Sequence, residues 1–488
     1  MDRLTDNLVA VNDKARVANA PAVIYSGLVG RVVAVFEPHT EADPLGIAAQ
    51  FLVAFGSAVG SGPHVHVGET THYCNEFLAL VGASAHGRKG DGLRVALRAI
   101  ADADPGWRSD RVLAGLSTGE GLINAVRNSG PSSESEWDPG VDDKRVLVTE
   151  AEFAKVLIQA TRLNNILSAT LREAWDHQDL GVLTRKDALR ATAPHVSVIA
   201  HSTTADLLAH LTKTDAANGF GNRFIFLAVG RAKLLSSPGR ADSAALSVLV
   251  ADVQRSLEFA QACGEMTRSD DATALWDAVY PELTRDFPGI IGQLLARAEA
   301  HVLRLSMLYA LCAQSKRIEE HHLRCALALW EQAEQSVLEI FGATTGNILA
   351  DTLLAWLPED GTALTTTTVR TEIFSNHITA KELSTAIADL KAIGAVTVET
   401  VKTRGRPVQY ISRTSSDNSS GSLRPVQWCA ESAESAITSL PCQHQSPVDG
   451  ELGGGARTSL ARASGAPQNN YAEPPSLASF AASAEGES

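Results

Sequence analysis

The run Leu80-Val81-Gly82-Ala83-Ser84-Ala85-His86-Gly87-Arg88-Lys89-Gly90-Asp91 holds the residue types and spacing that bear most directly on chemistry. Residues 76–81 are a short apolar run, which suits a strand buried on both faces. It feeds a Gly-rich loop that opens a helix. In that setting backbone N–H groups and a helix N-terminus face a phosphate, and a lysine neutralises its charge. Gly82 and Gly87 have the spacing of phosphate-loop glycines. Lys89 stands one position later than usual, after Arg88, and Gly90 and Asp91 follow where a Ser or Thr metal ligand is customary. Gly82, Gly87, Arg88, Lys89, Gly90 and Asp91 are therefore candidate nucleotide contacts, with Asp91 also a candidate Mg²⁺ ligand. An ordinary Gly-rich strand-to-helix turn has the same outline.

Further segments carry polar residues at element ends. Residues 145–149 form an apolar strand that ends in acid, with Glu150 and then Glu152. Such a carboxylate holds Mg²⁺ through water or orients an attacking water. Glu150 is the first catalytic and metal-side candidate and Glu152 the second, although Glu152 also suits the start of a helix. His201 ends the strand 195–200 and is placed to sense a terminal phosphate, or to cap the next helix. Arg223 precedes the strand 223–229 and is a candidate arginine finger toward a neighbouring subunit, with Arg231 and Lys233 as alternatives. Arg297, His301 and Arg304 share one helix face by spacing, either to contact phosphate or to hold helices together. Lys402, Arg404 and Arg406 sit in a basic turn that suits DNA backbone contact, or a solvated hairpin tip.

The elements that would position these residues alternate. A helix is predicted over 45–59, introduced by Asp43-Pro44 and stopped at Gly60. Strands are predicted at 64–68, 76–81, 111–116, 145–149, 195–200 and 223–229. Helices are predicted at 93–101, 118–127, 152–161 and 204–211. Such alternation predicts an α/β domain with a mostly parallel sheet over 40–235. Helical spacing dominates 236–345, with helices at 255–262, 272–286, 290–313 and 320–341. Residues 346–412 give three helical pieces and two strands around 402–407, the outline of a winged helix. Residues 1–39 read as a lead-in without strong pattern, and 413–488 as a disordered tail rich in Ser, Ala, Gly and Pro.

Bulk properties narrow the classes. A chain of 488 residues with 44% hydrophobic residues can bury a large core and predicts several domains. A net charge of −14 argues against coating nucleic acid by bulk charge, so any DNA surface is expected to be local. The six cysteines form no CxxC pair, which argues against a zinc site or a disulfide framework. The N-terminus lacks an apolar signal segment and no apolar run is long enough to span a bilayer, so a cytoplasmic protein without membrane contact is expected.

Taken together, the motifs TEADP (40–44), VGASAHGRKG (81–90), GLSTGEGLI (115–123), EAEFAKVL (150–157), LREAWD (171–176), NGFGNRF (218–224) and RAEAHVLRLSMLYAL (297–311) carry a resemblance. The stretch 40–341 resembles a P-loop ATPase family of bacterial, phage and plasmid primase-helicase-like proteins, whose core is similar to the RecA-fold core of RepA and DnaB type replicative helicases. The resemblance implies ATP and Mg²⁺ as cofactors, DNA as partner and a homo-oligomer, such as a hexamer. Single-stranded DNA would meet the core, and duplex or backbone the winged helix. In that family the Gly-Arg-Lys-Gly element is usually followed by Thr or Ser, so Asp91 departs from the pattern and weakens the case for hydrolysis. The 39 residues before Thr40 leave no room for a primase domain, so none is expected in this sequence.

Three functions remain in view. The first is an ATP-dependent DNA helicase or translocase of a replication or mobile-element system. The second is a DNA-binding replication or maintenance factor that uses ATP as an assembly switch with little hydrolysis. The third is a degenerate ATPase in which the winged helix does the work.

Overall fold

The computed structural model describes residues 20–414 except 85–86, 132–136, 183–188, 343–347, 359, 375–376, 393 and 403–406. The expected tail and most of the lead-in therefore lie outside the described residues, as do Arg404 and Arg406.

Five strands make the central sheet: β1 (Phe77–Val81), β2 (Val112–Leu113), β3 (Arg145–Glu150), β4 (His195–Ser202) and β5 (Phe224–Ala228). β1, β4 and β5 are buried at every position, as strands covered on both faces must be. The order is β2-β3-β4-β1-β5 and every pairing is parallel. β4 thus separates β1 from β3. Leu80 lies beside His201 and Val81 beside Ser202, while Glu150 lies beside Ala200. The chain therefore leaves β1, β3 and β4 along one edge, where ligands of open parallel sheets bind.

The predicted lead-in is corrected over 22–36. A 3₁₀ turn at Ala22–Tyr25 and helix α1 (Gly27–Phe36) are present. Leu28, Val29, Val32, Val33 and Phe36 are buried, a helical spacing carried by mostly β-branched residues. Helix α2 (Pro44–Val59) starts where predicted. Asp43 accepts the Leu45 N–H at 2.9 Å, Pro44 takes the first turn, and Gly60 at φ +84° ends it. Leu45 to Val59 are all buried, so α2 is an internal helix rather than an amphipathic one. It lies against the sheet, where His195 and His201 of β4 bond to it. The opposite face of β1 carries Phe77, whose ring is 5.2 Å from Phe224, itself 4.9 Å from Phe153.

Helix α3 (Lys89–Ala103) begins four residues earlier than the predicted 93, immediately at the loop, and packs along α2. Helices α4 (Phe153–Ala160), α5 (Leu167–Trp175) and α6 (Thr204–His210) complete the layers. The helical half comprises α7 (Ser243–Gln261), α8 (Asp270–Leu283), α9 (Gly289–Leu295), α10 (Ala298–Cys312) and α11 (Glu320–Phe341). The predicted helix 290–313 is broken at Ala296 and Arg297, where Arg297 adopts φ −123° and ψ 29°. The apolar side chains of these helices merge with those of the sheet into one hydrophobic cluster.

A second cluster is built by residues 350–411 alone, with Leu353, Val369, Leu390 and Ile411 fully buried. It gathers α12 (Ile348–Trp356), a helical turn at Thr366–Thr368 running into a π turn at Val369–Ile373, and α13 (Ala380–Ala392). Three antiparallel strands accompany them: β6 (Leu364–Thr365), β7 (Val396–Val401) and β8 (Val408–Arg413), in the order β6-β8-β7. The sequence pattern shows the two long strands and misses β6, which has only two residues. Among the described residues no helix is long and apolar enough to cross a membrane. The four described cysteines, Cys74, Cys263, Cys312 and Cys325, are buried and form no disulfide among the described residues.

The amino edge of the sheet is tied to the helical half by buried charge. The Arg304 guanidinium, fully enclosed, lies 3.7 Å from the centroid of the Trp175 ring and donates to the carbonyls of Asn75 at 2.7 Å and Trp175 at 3.0 Å. His301 Nδ1 is 2.9 Å from Glu76 Oε2, and its Nε2 is 3.0 Å from the Asn222 carbonyl. Arg297 also approaches the Trp175 face, at 5.1 Å, and pairs with Asp176 at 3.5 Å. Of the two roles open to Arg297, His301 and Arg304, the structure assigns the joining of helices. Replacing Arg304 with Leu would strand these carbonyl acceptors in a buried site. The expected cost is about 3–5 kcal/mol, read as a lower urea midpoint at unchanged slope.

Candidate functional site

A cleft of about 610 Å³ opens at the carboxyl edge of the sheet. It is lined by the start of α3 (Arg88, Lys89, Gly90, Asp91, Arg94), by residues 151–154 after β3, and by His201, Ser202, Thr203 and Asp206 after β4. Ser84 of the loop also reaches it.

The loop is held by its ends. The Gly82 N–H donates to the Ser202 carbonyl at 3.1 Å, and the Val229 N–H donates to the Val81 carbonyl at 2.7 Å. A Cβ on Gly82 would stand 2.2 Å from the Val229 carbonyl oxygen, so this glycine is required by β5 itself. A Cβ on Gly87 would stand 2.9 Å from the Ala83 oxygen, which the Gly87 N–H already approaches. Gly90 has open space around its Cα, so no protein atom demands a glycine there. Arg88 closes the loop at φ +48°, a left-handed conformation, and no side chain caps the N-terminus of α3.

Lys89 turns back over the loop. Its Nζ donates to the carbonyls of Gly82 at 2.8 Å and Ala83 at 3.1 Å. Burial pushes its pKa down to about 8, against the opposing field of Asp206. Arg88 borders the cleft and pairs with Glu41, Nε to Oε2 2.7 Å. Asp91 pairs with Arg94, and its other oxygen is 3.9 Å from Arg88. His201 lies at the cleft wall, with Nε2 2.9 Å from Gln50 Oε1. Because the Gln50 amide nitrogen donates to the Gly46 carbonyl at 3.0 Å, its oxygen faces the histidine, which is the donor at Nε2. Burial, with the Lys89 charge nearby, lowers the His201 pKa to about 4, so the ring is neutral at pH 7.

The remaining candidates are placed differently. Glu150 is corrected as a cleft residue. Its carboxylate accepts the N–H groups of Gly115, at 2.7 Å, and Leu116, and so closes the turn after β2. Asp91 lines the cleft and Glu150 does not, and among the described residues no group of three His, Cys, Asp or Glu could hold a metal ion. Glu152 does line the cleft; it is exposed and pairs with Lys155 at 2.7 Å. Arg223, the candidate finger toward a neighbouring subunit, is not part of this cleft. It sits at the amino end of β5, on the edge away from the cleft, 7% exposed and paired with Asp176 at 2.5 Å. Arg231 and Lys233 are engaged by Glu41 at 3.7 Å and Glu37 at 2.6 Å. Lys402 follows β7 and is exposed, whereas Arg404 and Arg406 lie outside the described residues.

Sequence reasoning overlooked Gln50, Asp206 and the pairing of Glu41. Gln50 is a polar residue inside an otherwise buried helix, a pattern that asks for a partner. Asp206 reads from sequence as a helix-start residue, and bonds as one to Thr203 at 2.8 Å.

The class defined here is an α/β protein with a five-stranded parallel sheet and a polar cleft of about 610 Å³, lined by both acidic and basic side chains, at its carboxyl edge. Comparison with protein-family models gives no match, and none is found among curated proteins.

Two outcomes are expected. Gly82→Ala should lose about 1–3 kcal/mol of stability from the Val229 clash alone, measurable without any ligand. Anion affinity should depend on Lys89. With its pKa lowered to about 8, the ammonium is complete below that pH and lost above it. Pyrophosphate binding should therefore weaken as pH rises through 8, and titration calorimetry should show the weakening absent in Lys89→Ala.

Proposed function

We propose that this chain is a P-loop ATPase with a RecA-like core, working on DNA as a helicase or translocase of a replication or mobile-element system. One observation carries the reading. The loop after β1 opens directly into the uncapped N-terminus of α3, with Lys89 in its cradle, beside the polar end of β4. Backbone N–H groups, a helix dipole and an ammonium facing one cleft form an anion site of the kind a polyphosphate fills. Lys89 would exchange the two loop carbonyls for phosphate oxygens, and Arg88 would add a second cation on leaving Glu41. The separation of β1 from β3 by β4 supports the RecA-like reading, because it sets a polar sensor position, His201, between the loop and the acidic strand.

The chain's own groups would act as follows. Ser84 and the loop N–H groups orient the phosphates. His201, donating to Gln50 from Nε2, would keep Nδ1 as an acceptor, and a phosphate charge nearby would favour its protonation. Glu152 is one of three carboxylates on the cleft wall, with Asp91 and Asp206, and is the candidate to hold a water. Residues 350–411 supply the proposed winged helix, with Lys402 at the start of its wing, for duplex or backbone contact. A homo-oligomer belongs to the same proposal.

A second reading is favoured by Glu150 and Asp91. With Glu150 closing a turn and a carboxylate in place of Ser or Thr after Gly90, ATP would act as an assembly switch with slow turnover.

The deciding experiment is ATP turnover with Mg²⁺, with and without single-stranded DNA, for the wild type and Lys89→Ala. DNA-stimulated turnover that falls at least about 100-fold in the variant is the expected result for a motor. ATP binding without turnover selects the switch, and Asp91→Thr should then raise the rate. Absence of ATP binding would overturn both.

A further inference from the structure

A second cleft, of about 440 Å³, lies beside the first and shares Arg88, Asp91 and Arg94 with it. Its remaining walls come from residues 39–41, Val95 and residues 235–239. Arg88, Asp91 and Val95 follow one face of α3 at helical spacing, so the two clefts are consecutive stations along that helix. Lys89 and Val95 are separated by about 9 Å of helix rise, a length that a phosphate chain and a sugar can cover. A third cleft of about 490 Å³ begins further along α3, at Arg98 and Asp102, and shares no lining residue with the first.

The walls of the second cleft are tied in place. The Glu41 carboxylate accepts the Leu235 N–H at 2.8 Å and the Arg88 Nε at 2.7 Å. The Ala232 N–H donates to the Glu41 carbonyl at 3.0 Å, and Lys233 pairs with Glu37 at 2.6 Å. Gly239 packs against the His39 ring so closely that a Cβ there would lie 3.2 Å from Nδ1. The lining combines the imidazole of His39 with the apolar side chains of Val95, Leu235 and Pro238. That composition offers a flat stacking partner and an apolar bed, while the shared wall is cationic.

We propose that this second cleft receives the base and sugar of a nucleoside triphosphate whose phosphates occupy the first cleft, with Arg88 at the junction. The proposal rests on the phosphate-binding reading of the first cleft and adds to it where the nucleoside lies and which residues select it. His39, Leu235 and Pro238 grip the base, and none of them lines the first cleft. Their removal should separate nucleoside recognition from phosphate recognition.

The test is calorimetric titration of the full chain with two probes, ATP and inorganic tripolyphosphate, for the wild type, His39→Ala and Ser236→Trp. Ser236 is exposed at the rim of the second cleft, and an indole there would fill it. ATP affinity should fall about tenfold or more in Ser236→Trp and about three- to tenfold in His39→Ala, with tripolyphosphate held within about twofold in both. Unchanged ATP affinity in both variants, or an equal loss for the two probes, would place the nucleoside elsewhere while leaving the phosphate site standing. A wild type that binds neither probe would remove the phosphate site and this proposal with it. Should Ser236→Trp fail to fold, His39→Ala alone decides between these outcomes.

Discussion

The close approach at Gly82 constrains the whole carboxyl edge. The ladder continues past the strand ends, through Gly82 N–H to the Ser202 carbonyl on one side and Val229 N–H to the Val81 carbonyl on the other. The loop thus starts from a backbone position pinned between β4 and β5, with no room for a Cβ. The direction in which the chain leaves β1 is set before any phosphate chemistry enters. The start of α3, the bend at Arg88 and the return of Lys89 onto the loop carbonyls all follow from that starting point.

The two edges of the sheet handle buried polarity in opposite ways. At the carboxyl edge burial lowers the pKa of both basic groups: His201, at about 4, is held uncharged, whereas Lys89, at about 8, keeps its ammonium at pH 7. These groups can respond to an incoming anion, because an anion would stabilise the protonated form of each. At the amino edge Arg304, Arg223, Arg297, Asp176 and Glu76 are locked around Trp175 by ion pairs and ring contacts. That edge joins α10 to the sheet, although Glu76 Oε1, Arg223 Nε and Arg304 Nε are buried without a hydrogen-bond partner. Chemistry at one edge and rigidity at the other is a division the sheet order makes possible.

Position along a strand does not by itself give a carboxylate its role. Glu150 and Glu152 are two residues apart, yet only Glu152 borders the cleft. Glu150 is taken by two backbone N–H groups after β2. A carboxylate that accepts two such bonds satisfies donors that would otherwise be unpaired, and moving it would expose them. Arg223 likewise has partners already, its guanidinium being bound by Asp176 and by the Gly219 carbonyl.

Much of the architecture was legible in the sequence. The alternation of apolar strands with helices announced the parallel sheet, Asp43-Pro44 and Gly60 marked the ends of α2, and the Gly-rich run after Val81 marked the cleft. These are local signals, because capping, chain reversal and burial on both faces depend on residues a few positions apart. Helix α1 escaped because its Val-rich face reads as readily as a strand, and β6 escaped because two residues carry no period. Only the tertiary structure decided that β4 stands between β1 and β3, that Gln50 holds His201, that Glu41 pairs with Arg88, and that Glu150 and Arg223 are engaged elsewhere. Each of these is a contact between residues distant in the chain. A side chain's type and spacing state which bonds it can make, whereas the partner it meets is set by strand order and packing.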